Sequence, residues 1–408
     1  MEIEEAVSIL KNALKPIEET EFCPLSEAFG RIAACDVFAP INVPPFAKSA
    51  MDGYAVRAAD VADASEAPVQ LKVIGELFAG DWELPPVSTA ATCQSQSTLL
   101  PAVRVMTGSP VPEGFDAVVM QEDTDYGEDI VRIYKSVQPF QNYCAVGEDI
   151  KKDSLVLKSG SKIGRSHIGI LASLGILEVE VLRKVKVAII STGSELFQAG
   201  RPLPPGKIYS SIAPMLISSL QNADACLIKN QLVKDDEIEI TSAIKDAAGI
   251  ADIIITTGGV SVGKKDLLPD ILNTLGTRKL FSHVNIQPGT PTLASLLDGK
   301  LILSLSGNPY AALANFDIYF YHAISVLNEN PEIEPEKKTA ILASDYEKIN
   351  KMRRLVRARY EDGKVSLPAN NHNSSVIGNL TGCNCYLDLP AQSHIKKGDK
   401  VEILMMKK

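Results

Sequence analysis

Three acidic residues in the second half of the chain follow glycine turns or strand ends and could together bind a cation. Glu195 comes after a Ser-Thr-Gly triplet, Asp235 follows a short apolar segment, and Asp266 lies just beyond the turn Thr256–Gly263. Glycine turns of this kind bind phosphates, but neighbouring carboxylates would repel the anion unless a cation lay between them. Mg²⁺ prefers one or two carboxylates together with phosphate oxygens and water. The pattern predicts a Mg²⁺-bridged phosphoester or phosphoanhydride site, with these acids as the metal ligands.

The three glycine turns also carry hydroxyl groups and backbone N–H groups that could bind the phosphates. No turn is a Walker or Rossmann motif, so the prediction rests on their combination. The candidate ligand-binding residues are Ser191, Thr192, Gly193, Thr257, Gly258, Gly259, Ser261, Gly263, Ser306, Gly307 and Asn308.

Structural roles are alternatives for several of these residues. Asp266 could instead cap the helix that begins near it, and Glu195 could be a solvated surface acid. The segment QPGTP (287–291) could be only a turn into a hairpin. Asp236, with a glutamate three residues later, fits a capping box, which leaves Asp235 without such a structural role.

A regular alternation of strands and helices from about residue 176 to 325 would position these turns. Such alternation predicts a parallel sheet with both faces covered, whose ligands bind beyond the carboxyl ends of the strands. Asp298-Gly299 is typical of a hairpin turn. A long helix follows the last strand, with Asn308 as its expected N-cap and Pro309 at its first position.

The chain has 408 residues, which is longer than a single hydrophobic core usually supports. The order of its predicted strands and helices indicates a multidomain α/β protein with four modules. Residues 1–42, which look helical, would join residues 140–175 in a discontinuous helical and mixed domain. Residues 43–139 would form an inserted β-rich domain. Residues 176–328 would form the parallel-sheet α/β domain and residues 329–408 a C-terminal β domain.

Composition argues against several functional classes. The formal charge is −9, from 41 Lys+Arg and 50 Asp+Glu, without a dense basic run, which argues against a nucleic-acid partner. The start, MEIEEAVSILKNAL, indicates an amphipathic helix rather than a signal peptide, and no apolar run is long enough to span a bilayer. Seven scattered cysteines predict reduced thiols and a cytoplasmic protein.

The motifs taken together resemble those of the molybdopterin molybdenumtransferases, the MoeA-type enzymes to which the gephyrin E domain belongs. The resemblance covers essentially the whole chain, and its motifs occur in the family's order. They are SAMDGYA (49–55), RVMTGSPVPEGFDAVVMQEDT (104–124), AIISTGSEL (188–196), TTGGVSVGKKD (256–266), PGTP (288–291) and SGNPYAA (306–312).

The resemblance implies a late step of molybdenum cofactor synthesis, with molybdate and adenylylated molybdopterin as substrates. In such enzymes Mg²⁺ assists cleavage of the adenylyl phosphoanhydride, molybdenum is placed on the dithiolene, and AMP is released. A molybdopterin-binding type of α/β domain is implied, in which Asp235 and Asp266 act through Mg²⁺ or its waters. The implied active-site positions are Asp52, Thr107, Glu195, Asp235, Asp266, Pro288 and Pro291.

The resemblance also implies an elongated homodimer whose active site joins the α/β module of one subunit to the β module of the other. On that basis Asp52 and Thr107 would reach a neighbour's pocket. Two other functions stay open. A nucleotide or pterin phosphoanhydride hydrolase would not need Asp52 and Thr107, and a non-catalytic scaffold is suggested by the gephyrin relative, which binds receptor tails.

Some positions depart from the family's pattern. Gln287 and Thr290 stand where many members have lysines, Ser210 and Ile212 replace an Asp and an Asn, and Cys144 replaces an Arg. Molybdate is a dianion, so we expect each lost cation to weaken its capture by about 1–2 kcal/mol where water is partly excluded. Tungstate, which has the same shape and charge, is an alternative substrate.

Overall fold

The computed structural model of the protein describes residues 1–82, 99–221, 223–260, 267–368 and 373–407. The chain divides into two compact units. The first unit contains Met1–Glu21, Gly30–Ile32 and Val181–Lys408, and the second contains Phe22–Phe29 and Ala33–Glu180. The N-terminal segment therefore belongs to the same unit as the α/β and C-terminal β segments.

The described residues form six α-helices and a larger number of mostly short strands. The helices are α1 (Ile3–Ala13), α2 (Arg165–Ser173), α3 (Ile212–Leu220), α4 (Glu237–Ala248), α5 (Leu268–Thr274) and α6 (Pro309–Leu327). Strands up to residue 182 are β1 (Thr20–Pro24), β2 (Val37–Phe38), β3 (Lys48–Ser49), β4 (Gly53–Val56), β5 (Val69–Leu77), β6 (Pro101–Val105), β7 (Ala117–Met120), β8 (Ile130–Ile133), β9 (Tyr143–Cys144), β10 (Leu155–Leu157) and β11 (Glu178–Leu182). The later strands are β12 (Val185–Thr192), β13 (Leu196–Phe197), β14 (Ile208–Tyr209), β15 (Ala225–Val233), β16 (Ile253–Thr257), β17 (Arg278–Ser282), β18 (Ile286–Gln287), β19 (Leu293–Leu297), β20 (Lys300–Leu305), β21 (Lys337–Leu342), β22 (Arg353–Glu361), β23 (Lys364–Ser366), β24 (Cys385–Leu389) and β25 (Lys400–Met405).

The helical prediction for the N-terminal forty residues is confirmed only over α1. Ile3, Ala6 and Leu10 are buried along one face of this helix. The helix ends at Ala13 because Pro16 disfavours helical conformation in the residue before it and offers no N–H group. The chain beyond it is extended and then forms strand β1.

The α/β part of the first unit contains a six-stranded sheet in the order β15–β12–β16–β20–β19–β17. The first four strands are parallel neighbours, as the alternation predicts, whereas β19 and β17 are antiparallel additions. The hairpin between β19 and β20 turns at Asp298-Gly299, where both φ angles are positive, at 49° and 81°. Positive φ at both central residues is typical of a type I′ turn.

The sheet is covered on both faces, which explains why its central strands are apolar throughout. All five residues of β16 are buried. Ile253 and Ile255 pack with the residues of α1, α3 and α6, while Ile254 packs with those of α4 and α5. Side chains alternate between the faces of a strand, so a strand buried on both sides has no polar period.

The C-terminal β segment forms a second six-stranded sheet in the order β18–β22–β23–β21–β25–β24. An additional pairing between β22 and β24 closes five of its strands into a barrel-like sheet. Strand β18, which precedes the Pro288–Pro291 turn, lies parallel to β22 and places Gln287 opposite Arg354. The barrel-like sheet is thereby joined to the α/β part of the same unit.

The second unit contains a five-stranded sheet in the order β7–β4–β6–β5–β8. These strands all lie within residues 43–139, the range for which the sequence predicts a β-rich domain. Their core includes Tyr54, Leu71 and Val119, each fully buried. Among the helices in the described ranges, none is long and apolar enough to cross a membrane.

Candidate functional site

The ends of β12, β16 and β20 meet at one edge of the first sheet and are cross-linked by hydrogen bonds. The Thr192 hydroxyl donates to the Thr257 carbonyl at 3.3 Å, and the Thr257 hydroxyl donates to Ser191 Oγ at the same distance. Backbone N–H of Gly258 donates to the Leu305 carbonyl at 3.0 Å. The turns that follow these strands are therefore held side by side.

Gly258 is required by the close approach of two of these turns. Its φ angle is 94°, and a Cβ atom added to it would lie 2.5 Å from the Thr192 carbonyl oxygen. Contacts below about 3 Å do not occur at real Cβ atoms, so no other residue fits this backbone. Gly307 is also close, since a Cβ there would lie 3.5 Å from Gly258 Cα. The backbone itself, without side chains, therefore forms this part of the edge.

Asp235 and Asp236 have separate roles. Asp236 caps α4, because its carboxylate accepts from the backbone N–H groups of Ile238 at 3.0 Å and Glu239 at 2.9 Å. The predicted cap is confirmed, but the reciprocal half of the capping box is wrong, since the Glu239 carboxylate accepts from Lys234 N–H at 3.3 Å. The Lys234 amide, which is also at the helix start, competes for that carboxylate.

The carboxylate of Asp235 instead accepts from the backbone N–H of Ser194 at 2.9 Å. Ser194 directly precedes Glu195, whose carboxylate folds back to within 2.9 Å of the position of a Cβ on Gly193. Two carboxylates from the neighbouring strands β12 and β15 are thus presented at adjacent loops. This donor set fits the preference of Mg²⁺ for one or two carboxylates.

No group of three or more His, Cys, Asp or Glu residues suited to a metal is formed within the part of the chain that the structure describes. The predicted site residues Ser261, Gly263 and Asp266 lie outside that part. The described portion of the predicted metal site is therefore the pair Glu195 and Asp235.

The turn from Pro288 to Pro291 is fixed from behind by α6. The Asn315 amide donates to the Gly289 carbonyl at 2.8 Å and also bonds to the Thr292 hydroxyl. The φ angle of Gly289 is 98°, and a Cβ there would lie 2.1 Å from Asn315 Nδ2. The hydroxyl of Thr290 donates to the Ile286 carbonyl at 2.6 Å and so stabilises the turn itself.

Helix α6 begins at the same edge. Asn308 is its N-cap and Pro309 its first residue, as predicted, although the Asn308 side chain makes no capping hydrogen bond. The hydroxyl of Ser306 accepts from the Asn308 backbone N–H at 3.2 Å. At the second residue of the helix, the Tyr310 N–H donates to the Ser374 carbonyl at 3.0 Å, which joins the helix to the segment between β23 and β24.

These elements surround a cavity of about 790 Å³ in the first unit. Many predicted residues line it: Thr192, Gly193, Glu195, Asp235, Thr257, Gly258, Gly259, Pro288, Pro291, Ser306, Gly307 and Asn308. Ser191 lies behind this lining, hydrogen-bonded to Thr257. The three sequence-distant turns and the two acids therefore belong to one cavity.

The C-terminal β segment supplies lining residues that the sequence did not predict, namely Arg354 on β22 and Lys348, Asn373 and Ser374 in segments between its strands. The sequence gives little indication that these four residues line a cavity, because each lies in a segment without a recognisable motif. The pairing of Gln287 with Arg354 would have indicated one of them, but a two-residue strand has no detectable period.

Asp52 and Thr107 belong to the second unit and are bonded to each other. One Asp52 oxygen accepts from the Thr107 backbone N–H at 2.7 Å and from its hydroxyl at 2.8 Å. These two hydrogen bonds, the backbone one foremost, hold the pKa of Asp52 below its usual value. The two residues lie on separate turns, and the lowered pKa keeps the Asp52 carboxylate ionised at neutral pH.

The α/β segment defines the class of the protein. Residues 188–325 match the family described as "Probable molybdopterin binding domain". Residues 1–175 match "MoeA N-terminal region (domain I and II)", and residues 339–406 match "MoeA C-terminal region (domain IV)". With relatives that are 35% identical over nearly their whole length, the chain belongs to the MoeA family.

Two similar relatives are named molybdopterin molybdenumtransferase. That of Bacillus subtilis (strain 168) is 35% identical over 400 residues, which cover 95% of this chain and 90% of the relative. That of Staphylococcus epidermidis (strain ATCC 12228) is 35% identical over 387 residues, covering 93% and 90%. Among solved structures, the molybdopterin biosynthesis MoeA protein from Pyrococcus horikosii matches with a TM-score of 0.84 and 29% identity, covering 100% of this chain and 99% of that one.

Proposed function

We propose that the protein transfers molybdenum from molybdate to adenylylated molybdopterin and releases AMP, as a late step of molybdenum cofactor biosynthesis. The proposal rests on the composition of the cavity. The glycine turns at the strand ends, the carboxylates of Glu195 and Asp235, and the cations Lys348 and Arg354 all line it. The family membership and the names of the 35% identical relatives support it.

The glycine turns would bind the phosphates of the pterin nucleotide. Gly258 and Gly259 both line the cavity and have positive φ angles, so the chain turns there without side chains that would keep a phosphate away. The hydroxyls of Thr257 and Ser306 line the same space. Such donors bind the phosphates through hydrogen bonds that need no reorganisation when charge develops during cleavage.

Glu195 and Asp235 would hold Mg²⁺, with Asp266 as the predicted third acid. When bound, Mg²⁺ would neutralise negative charge on the phosphates that the glycine turns hold. The backbone N–H of Ser194 fixes one oxygen of Asp235 and leaves the rest of that carboxylate for the cavity. Pro288 and Pro291 form a rigid wall because α6 anchors the turn between them.

We also propose a homodimer in which Asp52 and Thr107 of one subunit complete the site of the other. The mutual hydrogen bonds of these residues keep an ionised carboxylate exposed on a short turn. The second candidate function, a pterin or nucleotide phosphoanhydride hydrolase, is favoured by the fact that the described cavity is lined by the first unit alone. A hydrolase would release AMP without molybdate and without Asp52.

The test is incubation of the protein with adenylylated molybdopterin, Mg²⁺ and molybdate, with AMP and finished cofactor measured separately. We expect release of AMP that depends on molybdate and at least a hundredfold loss of rate in Asp235→Ala. The matched control is Asp236→Ala, which removes only a helix cap worth about 1 kcal/mol and should keep its turnover. Molybdate-independent AMP release would favour the hydrolase, and an active Asp235→Ala variant would refute the metal site.

A further inference from the structure

A second, smaller cavity lies in the first unit, at the edge of the sheet that ends in strand β17. Helix α5 and strands β17 and β19 supply most of its described lining residues. Its volume is about 240 Å³, which corresponds to roughly eight water molecules at the density of the liquid. The smaller cavity is therefore large enough for a small organic molecule.

A bulge in β17 places Lys279 on the face of the sheet that borders this cavity. In the pairing of β17 with β19, Lys279 is opposite Ser295 and Phe281 is opposite Ala294, so Leu280 is an extra residue on β17. Side chains two residues apart on a regular strand share a face, and a bulge changes this relation. Phe281 and Ala294 accordingly pack into the core that contains residues of α1 and α6, whereas Lys279 and Ser295 line the smaller cavity.

Ser295 provides an unused hydrogen-bonding group in this cavity. The residue is only 1% exposed, and its Oγ atom has no hydrogen-bond partner among the described residues. A buried hydroxyl without a partner is unfavourable, because it has lost its hydrogen bonds to water and gained none in return. A ligand that brings a polar group to Ser295 would remove this penalty.

The lining of the smaller cavity combines basic and apolar side chains. Lys279 and His283 are exposed at its rim, and no Asp or Glu occurs among its described lining residues. Leu272 on α5 and Leu293 on β19 are buried and present apolar surface to the same space. This combination favours an anion that also carries an apolar group, since pockets for small molecules pair a few polar groups with an apolar lining. An inorganic oxyanion has no apolar part to place against the two leucines.

We propose that the smaller cavity is a second ligand site, which binds a small organic carboxylate of roughly six to ten non-hydrogen atoms. The ammonium group of Lys279 and the hydroxyl of Ser295 bind the carboxylate, and Leu272 and Leu293 contact its apolar part. The site does not depend on the proposed function, because its ligand and its test involve neither the pterin nucleotide nor a metal.

Calorimetry on the intact chain tests the site with two probes, sodium benzoate and sodium isovalerate, in the absence of nucleotide. We expect each carboxylate to bind with a Kd below about 1 mM. The neutral analogues benzamide and isovaleramide have nearly the same shape and should bind at least about tenfold more weakly, because they cannot pair with the ammonium group. Failure of both carboxylates to bind would overturn the site, and equally tight binding of the amides would overturn the assignment to carboxylates.

Substitutions locate the bound probe. We expect Lys279→Gln and Ser295→Ala each to raise the Kd for benzoate about five- to tenfold. Ser304→Ala is the control for Ser295, since the Ser304 hydroxyl is also buried and unpaired among the described residues but does not line the smaller cavity. Arg278→Gln is the control for Lys279, because Arg278 is paired with Leu296, which packs into the core on the opposite face. Both control variants should bind benzoate as the parent does.

Thermal unfolding gives a second measurement and shows whether each variant folds. Benzoate at about 10 mM should raise the melting temperature of the parent and of both control variants, because it binds the folded chain. The double variant of Lys279→Gln and Ser295→Ala should show almost no rise. An equal rise in the double variant, or an unchanged Kd in both single variants, would mean that benzoate binds elsewhere and would overturn the proposal.

Discussion

At the scale of single residues, the adjacent acids Asp235 and Asp236 have different roles, and the sequence partly explains the difference. The capping pattern that assigns Asp236 to α4 also leaves Asp235 for the cavity, and both assignments agree with the hydrogen bonds. Lys348 and Arg354 were not predictable in this way, because a surface cation has no local pattern. Their place in the cavity lining follows from contacts between segments that are distant in the sequence, which propensity and periodicity do not encode.

Gly258 provides a test of the packed strand edge. We expect Gly258→Ala to lose a few kcal/mol of stability and nearly all activity, because its Cβ would meet the Thr192 carbonyl oxygen at 2.5 Å. The control is Gly276→Ala, whose φ angle of 72° is also positive but whose Cβ would meet nothing within 4 Å. That variant should lose only about 1–2 kcal/mol and stay active. Thermal unfolding and AMP release give both comparisons, and equal losses in the two variants would contradict the steric argument.

At the scale of elements, α6 connects the cavity to the barrel-like sheet through a buried polar contact. The Tyr386 hydroxyl on β24 donates to the Asp317 carboxyl at 2.5 Å. Burial raises the pKa of Asp317 to about 7, although the hydrogen bond from Tyr386 opposes this rise. The protonated acid is therefore the form that the folded protein prefers in mildly acidic solution.

Stability should depend on pH through Asp317. Its pKa in the folded protein exceeds the ordinary value of 3.8, so the stabilising effect of its proton is complete below pH 4 and is lost as the pH rises through 7. The loss is at most about 4 kcal/mol, because one pKa unit corresponds to about 1.4 kcal/mol. We expect Asp317→Asn to raise the melting temperature relative to the parent at pH 8, and to raise it much less at pH 4. Asp246→Asn, an exposed acid on α4, is the control, and an equal shift at both pH values would contradict this role of Asp317.

The elements themselves were largely predictable where apolar periodicity was strong. The βα alternation, the Asp298-Gly299 hairpin and the start of α6 at Pro309 follow from local rules. The N-terminal helix is shorter than predicted, because Pro16 outweighs the apolar residues that continue beyond it. Strand β18 escaped prediction because its two residues take their conformation from the partner β22 rather than from their own sequence.

At the scale of the whole molecule, the proposed homodimer is the expectation on which the role of Asp52 depends. Mixed dimers of Asp52→Ala and Asp235→Ala subunits would contain one fully intact site and one doubly altered site. Random exchange of subunits should therefore recover about a quarter of the parent activity from two inactive proteins. The measurement is AMP release after co-refolding, with subunit exchange verified by differently tagged chains. No recovery in verified mixed dimers would rule out the shared site.

The parallel pairing of β18 with β22 has a consequence for how selectivity could diverge among related proteins. The glycine turns and the C-terminal residues that line the same cavity lie in separate stretches of the chain, which meet through the β18–β22 pairing and through contacts of α6. Substitutions in the C-terminal stretch can therefore change one wall of the cavity while the glycine turns keep their sequence. Selectivity for a ligand could then diverge in the barrel-like sheet without any change at the strand ends.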